Sequence, residues 1–230
     1  MSERVRNSTL QVLFVARAEC EWTNKALHFL MSLGIQPTVI LSKNRGEKFP
    51  EKIEENWSGD LVISFRTHFI IPEQILNRSK LGAINIHAGS PSFPGSGAVN
   101  WALYEGVKDF GITVHEISNK VDAGNILKIY PFEIYTFDNF DTLSDRTESQ
   151  SYLAFCDYFA NYFCSSEVSE IPRVDSHWSR KARRIGELDN LELIHLPLSK
   201  NELEKVVRAT HTRHRAPYID LYGYIFKLIN

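Results

Sequence analysis

The 230-residue chain has little of what commits a protein to a special environment. Its three cysteines, Cys20, Cys156 and Cys164, form no C-x-x-C pair, and an odd number is a poor disulfide framework. Reduced thiols are expected. No run of about 18 apolar residues occurs, and Met1-Ser2-Glu3-Arg4 leads into no signal-like apolar core, so neither a membrane helix nor a secretory leader is expected. An excess of one charge is lacking too. The 26 Lys and Arg residues against 28 Asp and Glu leave a net charge of −2, not the footprint of a chain whose affinity rests on many phosphate contacts. Histidines lack metal-ligand spacing: His211-Thr212-Arg213-His214 holds the close pair, and no cysteine or carboxylate cluster accompanies it. These absences predict a cytoplasmic protein with no metal, no nucleic-acid partner and no membrane partner.

What is present is an alternation. Apolar strand-like runs at 10–16, 37–41, 61–65 and 83–87 are separated by helical patterns, the first at 24–33 stopped by Gly34. Such alternation predicts a parallel sheet with crossover helices. Further on, 98–107 reads as a helix, and 112–117 with 126–132 as strands framing a turn at Asp122. Asp141 reads as the N-cap of a long helix to Phe163, whose stripe of Tyr152, Phe155, Phe159 and Phe163 is expected in the core. The run Trp178-Ser179-Arg180-Lys181-Ala182-Arg183-Arg184 is read as a solvated helix face, with contact to a substrate pyrophosphate as the alternative. Ser199-Lys200-Asn201-Glu202 is a capping box opening a helix to about Arg208, and the alternation of 216–226 reads as a hairpin with aromatic teeth that covers a substrate or builds a dimer. A catalytic domain over 1–165 and a small C-terminal region over 166–230 are expected.

Chemistry concentrates in Asn85-Ile86-His87, the following turn from Gly89 to Gly97, and Val121-Asp122-Ala123-Gly124. On a strand, residues i and i+2 share a face, so Asn85 and His87 emerge side by side. Moving a one-carbon acyl group onto an amine requires that a proton leave the nitrogen and that a tetrahedral oxyanion be stabilised. An imidazole suits the first task, a carboxylate can fix its tautomer, and an uncharged carboxamide N–H suits the second. Spacing alone leaves open a core histidine with no such role.

The stretch Gly82-Ala83-Ile84-Asn85-Ile86-His87 to Tyr104-Glu105-Gly106, then Gly111-Ile112-Thr113-Val114-His115, then Val121 to Ile126, resembles the 10-formyltetrahydrofolate-dependent formyltransferase family in order and spacing. Its loop Asn85-Ile86-His87-Ala88-Gly89-Ser90-Pro91-Ser92-Phe93-Pro94-Gly95 looks most like the sugar N-formyltransferase branch. The resemblance covers about residues 10 to 135 well and the C-terminal third loosely. It implies an α/β fold, a Rossmann-like parallel sheet with flanking helices and a small C-terminal α+β appendage. It implies Asn85, His87 and Asp122 as the catalytic set. It also implies that 10-formyltetrahydrofolate, the co-substrate, is held largely by main chain of two loops, including His68, Phe69 and Ile70 in one and Ser118, Asn119 and Val121 in the other. His115 matches a position near the active site of some relatives, with packing the alternative.

Departures narrow the branch. The first strand is followed by Arg17-Ala18-Glu19-Cys20-Glu21-Trp22-Thr23-Asn24, without the glycine-rich loop of glycinamide ribonucleotide formyltransferases. Methionyl-tRNA formyltransferases usually carry a basic residue where this chain has Phe93-Pro94-Gly95, and a further RNA-contacting domain. The expected acceptor is therefore the amine of a nucleotide-linked amino-deoxy sugar, as in bacterial surface-polysaccharide (lipopolysaccharide) pathways, with a homodimer as the expected assembly. Arg17 and Arg66, at the carboxyl edge of the sheet, and Gly95 are the expected substrate contacts. Alternatives are another small amine, such as glycinamide ribonucleotide or an amino acid derivative, or a non-catalytic folate- or nucleotide-binding module.

Overall fold

The computed structural model describes residues 10–164 and 174–229. The expected domain break at 165/166 and the reading of Met1-Ser2-Glu3-Arg4 lie outside the described residues.

Four strands, β1 (Val12–Arg17), β2 (Thr38–Ser42), β3 (Leu61–Phe65) and β4 (Ala83–His87), run parallel, as the alternation predicts. Helices α1 (Glu21–Ser32), α2 (Glu51–Asn56) and α3 (Glu73–Asn77) connect them. After α4 (Ala98–Glu105) come β5 (Asp109–Glu116) and β6 (Ile126–Glu133), both antiparallel additions, so the six-stranded sheet of order β2-β1-β3-β4-β5-β6 is mixed. The long α5 (Phe140–Cys164) follows, then α6 (Ile185–Glu192), α7 (Lys200–Thr210) and the hairpin β7 (Tyr218–Leu221) with β8 (Tyr224–Lys227).

β4 explains why the sheet carries a site. Ile84 and Ile86 point to one face and join a core with Phe14, Ile63, Phe65 and the α5 residues Phe155 and Phe159. The Phe155 ring lies 5.0 Å from that of Phe65 and 6.1 Å from that of Phe14. By alternation, Ala83, Asn85 and His87 occupy the other face. There Val62 and Ala83 pack with Leu13, Val15, Phe69 and Ile75 under α2 and α3. One strand thus divides its apolar and polar duties by parity. β5 repeats the division: Ile112 and Val114 join the α5 side, leaving Thr113 and His115 on the face of Asn85.

Three local expectations change. Asp141 lies inside the first turn of α5; the cap is Asn139, whose Oδ1 accepts the Thr142 N–H at 3.0 Å while Thr142 Oγ1 accepts the Asn139 N–H at 3.0 Å. The segment 178–184 is not a helix but an extended strap tied to the rest of the fold, described below. Ser199 does cap α7, accepting the Glu202 N–H at 3.2 Å, but the Glu202 carboxylate accepts the Tyr104 hydroxyl at 2.6 Å. No helix among the described residues is long and apolar enough to cross a membrane.

Candidate active site

Asn85 and His87 stand on β4 as the strand period requires, and tertiary structure brings a third and a fourth group to them. Asp122 Oδ2 lies 3.1 Å from His87 Nδ1, and Asp122 Oδ1 lies 3.3 Å from His115 Nε2. His115 faces Asn85 across the β4–β5 ladder, and Asn85 Nδ2 is 3.0 Å from His115 Nε2. Opposite the Val114–His115 step, β6 carries an extra residue, since Val114 pairs with Lys128 and His115 with Ile126. A bulge of this kind twists the strands where a side chain must be aimed.

Each group is held from behind. Ser64 Oγ donates to Asn85 Oδ1 at 2.7 Å, which turns the nitrogen end of the carboxamide toward His115. His115 Nδ1 lies 2.8 Å from the Glu116 carbonyl, and its Nε2 sits between Asn85 Nδ2 at 3.0 Å and Asp122 Oδ1 at 3.3 Å. His87 Nε2 lies 2.9 Å from the Phe93 carbonyl while Nδ1 faces Asp122. Both its ring nitrogens therefore meet acceptors, of which the neutral ring satisfies one and a ring that has gained a proton satisfies both.

Asp122 is buried, which by itself would push its carboxyl upward; the His87 charge, the His115 contacts and the Gly95 N–H at 2.7 Å more than offset this and hold it at about 2. It is an anion throughout the physiological range. Its backbone has φ 43°, the left-handed region that costs a non-glycine residue energy and is tolerated by Asp better than most. The turn is held close against β5: a Cβ on Gly124 would sit 1.9 Å from the Glu116 carbonyl oxygen, so only glycine fits. Gly95, at φ +87°, is packed as tightly, a Cβ there falling 2.3 Å from the Arg183 carbonyl oxygen.

That contact introduces the strap. Arg183 N–H donates to Pro94 O at 3.0 Å, Ser96 N–H to Arg183 O at 2.9 Å and Ser179 N–H to Pro91 O at 3.1 Å. Arg180 is bidentate on Glu105, at 2.7 and 3.1 Å, Arg183 joins the same carboxylate at 2.8 Å, and its guanidinium lies 3.9 Å from the Trp101 ring centroid. These two arginines of the basic run are thus spent on holding the loop that follows His87. Sequence reasoning had no signal for this, because the partner Glu105 is more than 70 residues away.

The expected substrate contacts separate. Gly95 joins the Asp122 cluster. Arg17 and Arg66 instead meet at Glu148 of α5, on the sheet face opposite Asn85. Arg66 forms a short ion pair with Glu148, to which Trp22 Nε1 also donates at 3.1 Å, and Arg17 stands 3.9 Å away. In the loop after β3, His68 N–H and Thr67 Oγ1 both bond Ser42 Oγ, at 2.8 and 3.1 Å, Phe69 is buried against Phe49, and Ile70 is exposed. Burial, then the charges of Arg45, Arg17 and Arg66, hold the His68 imidazole below its ordinary value, hence neutral near pH 7. His68 and Ile70 line a cleft of about 700 Å³, and a second of about 1080 Å³ opens between residues 120–126 and 174–182, with Val121, Asp122 and Trp178 in its wall. In the second loop Ser118 Oγ bonds Lys120 O at 3.1 Å, and Asn119 is exposed. No group of three or more His, Cys, Asp or Glu side chains suited to a metal occurs among the described residues.

A mixed α/β sheet with an amide, two imidazoles and a buried carboxylate gathered on one face of its fourth and fifth strands defines the class. The chain belongs to the formyl transferase family, whose model matches residues 38–158, just over half of it. A methionyl-tRNA formyltransferase of Staphylococcus epidermidis is 34% identical over 106 residues, 42% of this chain and 34% of that protein. The chain thus matches about a third of the length of such curated relatives. Among solved structures, a 4-N formyltransferase from Francisella tularensis superposes with a TM-score of 0.78 at 16% identity, over 95% of this chain and 96% of that one. The N-formyltransferase from Helicobacter canadensis, solved with folinic acid and dTDP-3-aminofucose, gives 0.71 at 14% identity, over 94% and 85%. These likenesses show the fold.

Proposed function

We propose that the protein transfers a formyl group from 10-formyltetrahydrofolate directly to the amine of a nucleotide-linked amino-deoxy sugar. The observation that carries the transfer chemistry is the convergence of Asn85, His87 and Asp122. As the amine attacks the formyl carbon, the free N–H of Asn85 supports the oxyanion, its orientation preset by Ser64. His87, neutral before the attack, takes the proton leaving the amine, its two ring nitrogens then donating to Asp122 and to the Phe93 carbonyl. The same proton is returned to N10 of tetrahydrofolate as the formyl–N10 bond breaks and the formamide forms. A donor that is already activated needs no serine or cysteine nucleophile.

The donor is proposed to lie along the loops at 66–72 and 118–122, with backbone groups and the neutral His68 against an uncharged pterin. The sugar acceptor is supported by structural likeness to a 4-N formyltransferase over 95% of this chain, whereas the sequence match to a methionyl-tRNA enzyme covers 34% of that protein. Because curated relatives include methionyl-tRNA formyltransferases, an aminoacyl-tRNA acceptor is the second reading. A homodimer belongs to the same proposal: β8 exposes Tyr224, Ile225 and Phe226, apolar surface that a second copy would bury. A formylation screen with 10-formyltetrahydrofolate across nucleotide-linked 3-amino and 4-amino sugars, free amino sugars and methionyl-tRNA tests the reading. Turnover of a nucleotide-linked sugar well above its free form supports it; turnover of methionyl-tRNA alone replaces it with the second.

A further inference from the structure

We infer that Trp178 is a positioning residue that holds both imidazoles and the Asp122 turn in their working arrangement. The residue lies outside the segment that the family model matches, on the strap. Its indole meets two rings edge to face, that of His87 at 5.6 Å and 74° and that of His115 at 5.0 Å and 90°. Its Nε1–H donates at 2.8 Å to the carbonyl of Gly124, the residue clamped against β5 two positions after Asp122. One side chain therefore touches the ring that faces Asp122 Oδ2, the ring that faces Asp122 Oδ1, and the turn that carries Asp122 itself.

The physical consequence follows from what the rings lack. His87 is fixed by hydrogen bonds at its two nitrogens and His115 by bonds in its own plane, and such bonds do not stop a ring from tilting about the line that joins them. An apolar edge packed against each ring removes that freedom and keeps water from the carboxylate, where a charge–dipole interaction is strongest in a dry setting. The strap that delivers the indole is the same one that pins Pro91, Pro94 and Ser96, so the Phe93 carbonyl, the Gly95 N–H and the indole are placed as one unit. Trp178 is half-buried and outside the three core clusters, so its replacement leaves the fold in place.

The kinetic arm of the test rests on the proposed transfer reaction; the spectroscopic arm does not. Trp178→Ala should lower kcat about tenfold or more, as misplacement of reacting groups does, with KM for the folate donor changed by less than about twofold. Trp178→Phe, which keeps an apolar edge and loses the N–H, should recover most of that loss. In ¹⁵N spectra of the imidazoles, which report which ring nitrogen carries a proton, Trp178→Ala should change the His87 pattern of the wild-type protein without substrate present, and Trp178→Phe should restore it. An unchanged ¹⁵N pattern, a kcat within about twofold of wild type, or an effect confined to KM would overturn the inference. If the wild-type protein formylates nothing, the transfer reading fails while the ¹⁵N comparison still decides on Trp178.

Discussion

Ser64 and Asn85 occupy paired positions on the parallel strands β3 and β4, and the Ser64 hydroxyl donates to the Asn85 carboxamide oxygen at 2.7 Å. The bond decides which end of the amide faces His115 and is available to the proposed reaction. With the oxygen engaged, the nitrogen end of the amide faces His115, and it has a second N–H for an oxyanion in the proposed reaction. A serine within the otherwise apolar β3 sequence LVISF is explained by this contact.

Ser64→Ala should accordingly lower kcat by about threefold to tenfold, the worth of roughly 1 kcal/mol of one orienting hydrogen bond, and leave KM near its wild-type value. Asn85→Ala should be more severe in the same sense. Steady-state kinetics on both variants checks this, and a loss confined to KM in Asn85→Ala would reduce that residue to a binding contact.

His87→Ala should reduce kcat by ~10²–10⁴-fold, the usual worth of an imidazole in proton transfer. The fold should survive, and a non-reactive folate analogue should still raise Tm through linkage, because the loops proposed for the donor do not include His87. A variant retaining more than about a tenth of wild-type kcat, or a wild-type protein with no folate-dependent shift in Tm, contradicts the assignment.

Acid stability should report on Asp122. Its carboxyl is held at about 2 when folded, against the ordinary ~3.9 of an unfolded chain, so the charged form stabilises the fold above pH ~4 and the contribution disappears as pH falls toward 2. The difference corresponds to about 2.5 kcal/mol. Urea unfolding between pH 5 and pH 2, compared with Asp122→Asn, measures it: the variant should lack that part of the acid limb.

Gly124→Ala should displace the Asp122 turn, since the new Cβ meets backbone and no flexible side chain. Overpacking of this kind costs about 1–3 kcal/mol, and a chain of this size loses roughly 2–4 °C of Tm per kcal/mol. Activity should fall with it. An unchanged Tm and kcat would mean that the turn is free to shift.

Phe226→Asp, on the exposed strand β8, should convert a dimer into a monomer by sedimentation velocity without lowering Tm through core loss. A wild-type protein that sediments as a monomer at tens of micromolar removes the dimer proposal at once.

Much of this was legible without coordinates. Apolar runs marked the first four strands to within a residue or two, because strands such as β1 and β3, buried on both faces of a parallel sheet, read as near-continuous apolar sequence. The pairing of Asn85 with His87 also followed from strand parity alone. The cap of α5 at Asn139 was missed because Asp141 is as good a capping residue and only the backbone path selects between them.

Determined by the sequence itself, then, were the alternation of strands and helices, the shared face of Asn85 and His87, and the supply of Asp122 in a glycine-marked turn. Tertiary structure alone decided that β5 turns antiparallel and sets His115 beside Asn85, that Ser64 orients the amide, and that Arg66 is matched by Glu148. It alone decided that Trp178 and Arg183 close over the loop after His87. The division has one physical cause. Periodicity and turn chemistry act between near neighbours in the chain, whereas these contacts join residues 21 to 91 positions apart and exist only once the sheet has fixed where each segment passes.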